Sequence, residues 1–127
     1  MKKTLSFLTA ATLALFWFAV PASSEVMHYS KCKLEDGKTL EDVQAWVTDW
    51  RKLKTDNGID YEIRILVPHA DNDLGADEFF IEGRSSTLSS HAAAYEWWYS
   101  DDAAAASATQ LNAAATCDSG AIYRTAD

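Results

Sequence analysis

The chain has 127 residues, with 11 Lys or Arg against 19 Asp or Glu and a formal charge of −8. That length holds one domain, or a leader and one domain. Acidity of this kind is repelled by nucleic acid and by anionic lipid, which removes both from the expected partners.

Lys2 and Lys3 head an apolar run from Leu5 to Val20, broken only by Ser6, Thr9 and Thr12, and small residues follow at Ala22, Ser23 and Ser24. This is the layout of a cleaved secretory signal. At about sixteen residues the run falls short of the roughly 20 needed to cross a bilayer. Residues 1–24 are therefore expected to be removed, leaving 25–127 as one periplasmic or secreted domain with no stable membrane insertion. A retained anchor is the alternative. Removal takes two lysines and no acid, so the remaining domain carries 9 basic and 19 acidic residues and a net charge near −10. Such a charge serves solubility, or it serves a cationic partner, which would make the chain an acidic periplasmic interaction module.

Cys32 and Cys117 are the two cysteines, and thiols outside the cytoplasm are ordinarily oxidised. One disulfide between them is expected. In the chain-entropy description, closing a loop of about 86 residues stabilises by roughly 4 to 5 kcal/mol. The pair forms no Cys-x-x-Cys, which favours a structural bridge over a redox-active one.

Glu25 to Leu34 alternates Val26, His28, Ser30, Cys32 and Leu34 with Met27, Tyr29, Lys31 and Lys33, the period of a strand. Glu35 to Lys38 turns the chain. Thr39 is a helix N-cap with Asp42 in the capping-box position, and the helix from Leu40 carries the stripe Leu40, Val43, Trp46, Val47, Trp50 and Leu53 until Asn57-Gly58 stops it. Tyr61 to Val67 is a second strand, ended by Pro68, and Phe79 to Ser85 a third. Pairing residues whose numbers sum to 146 sets Arg64 opposite Glu82, Glu62 opposite Arg84, Leu66 opposite Phe80, Ile65 opposite Ile81 and Val67 opposite Phe79. Every pair is chemically matched, which predicts an antiparallel hairpin in that register. Ser89 to Thr116 reads as helix, kinked or restarted at Ser100-Asp101-Asp102, with a stripe of small residues (Ala104, Ala108, Leu111, Ala115) expected to sit close on the sheet. Gly120 breaks it, and Ala121 to Thr125 is a short last strand.

Strand, helix, strand, strand, helix, strand is the split βαβ arrangement of the α+β ferredoxin-like sandwich. Right-handed crossovers give an antiparallel four-stranded sheet of order 4-1-3-2 with two helices on one face. That order puts Cys32 and Cys117 at the same end of the sheet. Val26, Ser30, Tyr61, Ile63, Ile65, Val67, Phe79, Ile81 and Ile122 are expected under the helices. The opposite face carries Met27, Tyr29, Leu66, Phe80 and Tyr123, a larger apolar group than a solvated face needs. Pairing of two copies through this face is expected.

On these elements the mature domain resembles the dimeric α+β barrel superfamily, by topology and length and without a diagnostic motif. The resemblance implies a sheet-to-sheet homodimer with a small organic ligand or haem between sheet and helices of each subunit. It also implies activities that include cofactor-free oxygenation, isomerisation and haem degradation. A leader and a disulfide depart from the many small cytoplasmic members.

The expected ligand wall is aromatic: Trp46 and Trp50 from the first helix, Tyr95 and Trp98 from the second. His28 faces the same region, either as a hydrogen-bonded structural histidine or as a base or axial haem ligand. Trp97 and Trp98 diverge by about 100° on a helix, so one of them is expected to look outward. His69 lies past the second strand, and His91 is expected at the surface of the first helical turn. No histidines stand at metal-ligand spacing, and no metal site is expected. Asp71 to Glu78 has the alternating oxygens of a calcium loop but a glycine out of place, which favours a solvated hairpin loop. No phosphate loop or nucleophile elbow is present. A non-catalytic, exported, ligand-binding homodimer is the first reading, and a cofactor-free or haem-dependent enzyme the second.

Overall fold

The computed structural model describes residues 24–69 and 74–125. Residues 1–23 of the leader and residues 70–73, which include Asp71 to Asp73 of the acidic loop, lie outside the described residues. Five strands and three helices follow in the order β1 (Val26–Leu34), α1 (Leu40–Asp56), β2 (Glu62–Leu66), β3 (Glu78–Ser85), α2 (Leu88–Ser100), α3 (Asp102–Ala114), β4 (Ala115–Cys117) and β5 (Ala121–Arg124). The sheet runs β2-β3-β1-β4, with β5 also pairing with β1, and every neighbouring pair is antiparallel. This is the ferredoxin-like α+β sandwich in the order expected.

The expected four strands and two helices become five and three because two elements are divided. Asp101 has an extended backbone, closes α2, and turns its carboxylate to accept the Ala103 and Ala104 N–H groups at 2.8 and 3.2 Å. It ends one helix and caps the next, so the chain restarts there. The last helix stops at Ala114, two residues before the expected end, because Ala115 is already extended and enters the ladder opposite Leu34. The final strand is split by a turn at Asp118 to Gly120, with Gly120 at φ +66°.

α1 starts where Thr39 donates its N–H to the Asp42 carboxylate at 2.9 Å, and Val43, Trp46, Val47 and Trp50 of its stripe are buried. The small residues of α3 pack differently from expectation. Ala104 and Ser107 are buried, and Ser107 accepts the Trp46 indole N–H. The stripe therefore seats α3 against α1, since small side chains allow close approach of two helices as well as of helix and sheet.

The β2–β3 hairpin has the expected register: Glu62 pairs with Arg84, Arg64 with Glu82, Ile65 with Ile81 and Leu66 with Phe80. The ladder ends there. Val67, before Pro68, is 58% exposed and does not join Phe79. Ile122 is also exposed, against expectation, because β5 lies at the sheet edge while the helices pack over β2, β3 and β4. Gly83 faces the helices and forms a notch. A methyl group there would overlap the Tyr61 ring and hydroxyl, so only glycine lets Tyr61 lie flat across β3.

Cys32 and Cys117 are cross-strand partners of β1 and β4, with Cα atoms 4.0 Å apart, and they form a disulfide. On the outward face Met27, Tyr29, Leu66, Phe80 and Tyr123 surround one shallow apolar depression, with the Tyr29 and Tyr123 rings 5.6 Å apart. Replacing both cysteines by alanine is expected to lower the unfolding free energy by about 4 kcal/mol, read as an earlier urea midpoint. A loss under about 1 kcal/mol would mean that β4 is held without the bridge.

Candidate functional site

Between sheet and helices lies a cavity of about 270 Å³. The structure brings His28, Trp46, Trp50, Tyr95 and Trp98, all five residues expected at a ligand wall, onto its lining. β1 supplies His28 and Ser30, α1 supplies Trp46 and Trp50, and α2 supplies Ala94, Tyr95, Trp98 and Tyr99. The turn after β4 adds Asp118 and Ser119 at one end, beside Cys117.

The indoles are fixed by their own donors. Trp46 Nε1–H reaches the Ser107 carbonyl and hydroxyl at 3.0 Å, and Trp50 Nε1–H reaches the Tyr61 carbonyl at 3.3 Å. With those donors satisfied, the rings contribute apolar area and π-faces. Trp97 and Trp98 do not divide into an inward and an outward residue. Both are partly buried and straddle Trp50, with centroids 5.8 and 5.3 Å from it. A single large ring on α1 spans the 100° between them.

His28 is held at both nitrogens. Its Nε2 faces the Ser119 carbonyl at 3.4 Å and the Ser30 hydroxyl at 3.5 Å, while its Nδ1 lies 3.1 Å from the Tyr61 hydroxyl. A carbonyl only accepts, so the proton is assigned to Nε2, and Tyr61 O–H donates to the bare Nδ1. Burial pushes the Tyr61 phenol far above its ordinary range, so it stays neutral and keeps that proton to donate. Tyr95 is shifted up by burial as well.

His91 departs most from the sequence reading. It is 4% exposed, not at the surface. Its ring lies 5.7 Å from Tyr61, 5.3 Å from Tyr95 and 6.3 Å from His28, and neither ring nitrogen has a hydrogen-bond partner. Each such unpaired group in a dry interior costs about 1–3 kcal/mol. Burial first, and His28 second, hold its pKa below the ordinary histidine value.

Sequence reasoning missed Tyr61, which lines the cavity, and the burial of His91 next to it. For His91 the signal was its place seven residues before Trp98, on the stripe that carries Ala94 and Tyr95. For Tyr61 it was the glycine notch facing the same side of the hairpin. His69 is exposed beyond the far end of β2 and takes no part. Among the described residues no group of three or more His, Cys, Asp or Glu side chains could hold a metal ion.

Because the folded chain resists protonating His91, its neutral ring contributes fully above pH about 6.5. As pH falls below that value the unfolded chain takes up the proton first, and stability is lost toward the lower folded pKa. Urea unfolding at about pH 7.5 and about pH 5 should show a larger loss for the wild type than for His91→Phe. Equal losses would sink this assignment.

No family model and no curated protein matches the chain. Among solved structures it is similar to SnoaB, a cofactor-independent oxygenase from Streptomyces nogalater, with a TM-score of 0.54 and 10% identity. The match covers 83% of this chain and 96% of that one. Likeness at that identity is likeness of fold, here the ferredoxin-like α+β sandwich described above.

Proposed function

We propose that this protein is an exported homodimer that binds a small, largely apolar aromatic compound between its sheet and helices. One observation carries the reading: the cavity is walled by Trp46, Trp50, Tyr95 and Trp98, and His28, Ser30, Tyr61 and Ser119 meet in one polar cluster on its lining. Such a wall with a few convergent polar groups suits an aromatic compound held in one orientation. The volume lies just below the range of about 300–1,000 Å³ typical of drug-sized ligands, so one or two fused rings are the size proposed.

Haem does not fit. Its macrocycle is far larger than one or two fused rings, and both nitrogens of His28 are already engaged, leaving none for an axial bond. Cofactor-free oxygenation of the bound compound is the second reading, favoured by the likeness to a cofactor-independent oxygenase. Export is supported by the basic head and apolar run of residues 1–24. A homodimer is supported by the apolar group on the outward face, which a second copy would cover.

Titration with 2-naphthol should quench tryptophan emission saturably. Trp98→Ala should weaken binding about tenfold, equivalent to about 1.4 kcal/mol. Absence of saturable quenching in the wild type, or unchanged binding in Trp98→Ala, refutes the ligand reading. Oxygen uptake during the titration separates catalysis from binding alone. Native mass spectrometry should give a dimer lacking the first 24 residues, and Phe80→Arg should give a monomer with its fold intact. A monomeric wild type, or a dimer indifferent to Phe80→Arg, refutes the sheet interface.

A further inference from the structure

The cavity changes character from its depth to its mouth. Trp46, Trp50, Ile63 and Ile81 line it and are buried, whereas Tyr99, Asn112, Asp118 and Ser119 line it and are exposed. The mouth carries the one charge on the lining: Asp118 is the only acid there, and no Lys or Arg among the described residues joins it. The lining imidazole, His28, holds its proton on Nε2 alone, because Nδ1 accepts the Tyr61 hydroxyl. Asp118 Oδ1 accepts the Lys31 and Gly120 N–H groups, and Oδ2 has no hydrogen bond or ion pair among the described residues. The β1 lysines are turned to other acids, Lys31 to Glu78 at 3.1 Å and Lys33 to Asp77 at 3.4 Å. Electron-rich rings stand close by. Ser119, next in the chain, meets His28, whose ring lies 5.9 Å from Tyr95, and Tyr95 lies 5.6 Å from Tyr99. An uncompensated carboxylate among such rings attracts a cation and repels an anion.

We propose that the compound held in the cavity is an arylalkylamine, with its rings among the buried tryptophans and its ammonium at the mouth, paired with Asp118. The inference rests on the ligand-binding reading above and names the chemical class of the ligand. An ammonium has three donors and no acceptor. Asp118 offers it a charged acceptor, and Asn112 and Ser119 offer neutral ones on the same exposed part of the lining. A neutral alcohol of the same shape would gain a hydrogen bond without the assistance of charge. A carboxylate would meet the Asp118 charge with no cation on the lining to offset it. The chain's net charge of −8 adds to the selection, since its field draws cations toward the molecule.

Equilibrium dialysis of 2-naphthylmethylamine, 2-naphthalenemethanol and 2-naphthoate, alike in ring size, against the purified protein at neutral pH and low salt tests this. The wild type should bind the amine at least about fivefold more tightly than the alcohol, and the carboxylate more weakly than either. Asp118→Asn keeps an amide oxygen for the Lys31 and Gly120 N–H groups, so the turn is retained. It should bring the amine-to-alcohol ratio close to one with alcohol binding kept. Glu96→Gln removes the same charge from an exposed residue outside the lining and should leave the ratio unaltered. If Asp118→Asn does not fold, salt decides: the wild-type ratio should fall toward one by about 0.5 M sodium chloride. Equal wild-type affinity for amine and alcohol, tighter binding of 2-naphthoate, an unaltered ratio in folded Asp118→Asn, an equal loss in Glu96→Gln or a ratio indifferent to salt overturns the amine class and leaves the cavity reading standing. Failure of all three probes to bind the wild type overturns both.

Discussion

Cys32 and Cys117 face each other across β1 and β4, and the polar end of the cavity depends on that cross-strand pair. β4 has three residues, fewer than a strand ordinarily needs to hold its own place. Pinned by the bridge, it delivers the turn Asp118-Ser119-Gly120 over β1. There the Asp118 carboxylate accepts the Lys31 and Gly120 N–H groups, both at 3.0 Å. Gly120 at φ +66° brings the Ser119 carbonyl to His28 Nε2, and a side chain in its place would overlap the His28 ring and the Tyr29 carbonyl. The carbonyl fixes the His28 proton on Nε2, and the bare Nδ1 then orients Tyr61. A covalent bond at the sheet edge thus sets a tautomer inside the cavity.

The other side of the site depends on the hairpin register. Glu62 with Arg84 and Arg64 with Glu82 are the pairs that a one-residue slip would break, and they fix which residues of β3 face inward. Phe79, Ile81 and Gly83 are those residues, and the missing side chain at Gly83 is the space that Tyr61 fills. Surface charge pairing contributes little stability by itself. Its effect here is on register, and register decides whether Tyr61 can reach His28.

The strand pattern, the first helix, the hairpin register and the disulfide were legible in the sequence because each rests on short-range periodicity or on a count with one solution. The aromatic wall was legible for the same reason: Trp46 and Trp50 share a stripe, as do Ala94, Tyr95 and Trp98. What could not be read was how neighbouring elements resolve a local ambiguity. Asp101 could bend a helix or end it, and its extended backbone with a carboxylate turned onto the Ala103 and Ala104 N–H groups makes two helices. One of Trp97 and Trp98 was expected to face outward because helix geometry alone separates them, and the breadth of Trp50 accommodates both. His91 read as a surface residue because a histidine in a first helical turn ordinarily is one. Its burial follows from Tyr61 and Tyr95 closing over it, contacts made by residues 30 positions before and 4 after.

Two buried polar groups on opposite faces of the sheet differ in how their burial is compensated. Glu82 is 8% exposed, yet its carboxylate accepts the Tyr29 hydroxyl at 2.7 Å and lies 3.8 Å from Arg84 Nε. Its burial is compensated inside the chain, as a residue that serves the fold requires. His91 is buried more deeply and compensated by nothing in the chain. The deeply buried Ser85 hydroxyl is unpaired as well, so the unsatisfied polar groups among the described residues are not confined to the neighbourhood of the cavity. A hydrocarbon at position 91 would strand no polar group, so replacing His91 by phenylalanine measures directly what the buried imidazole costs the fold.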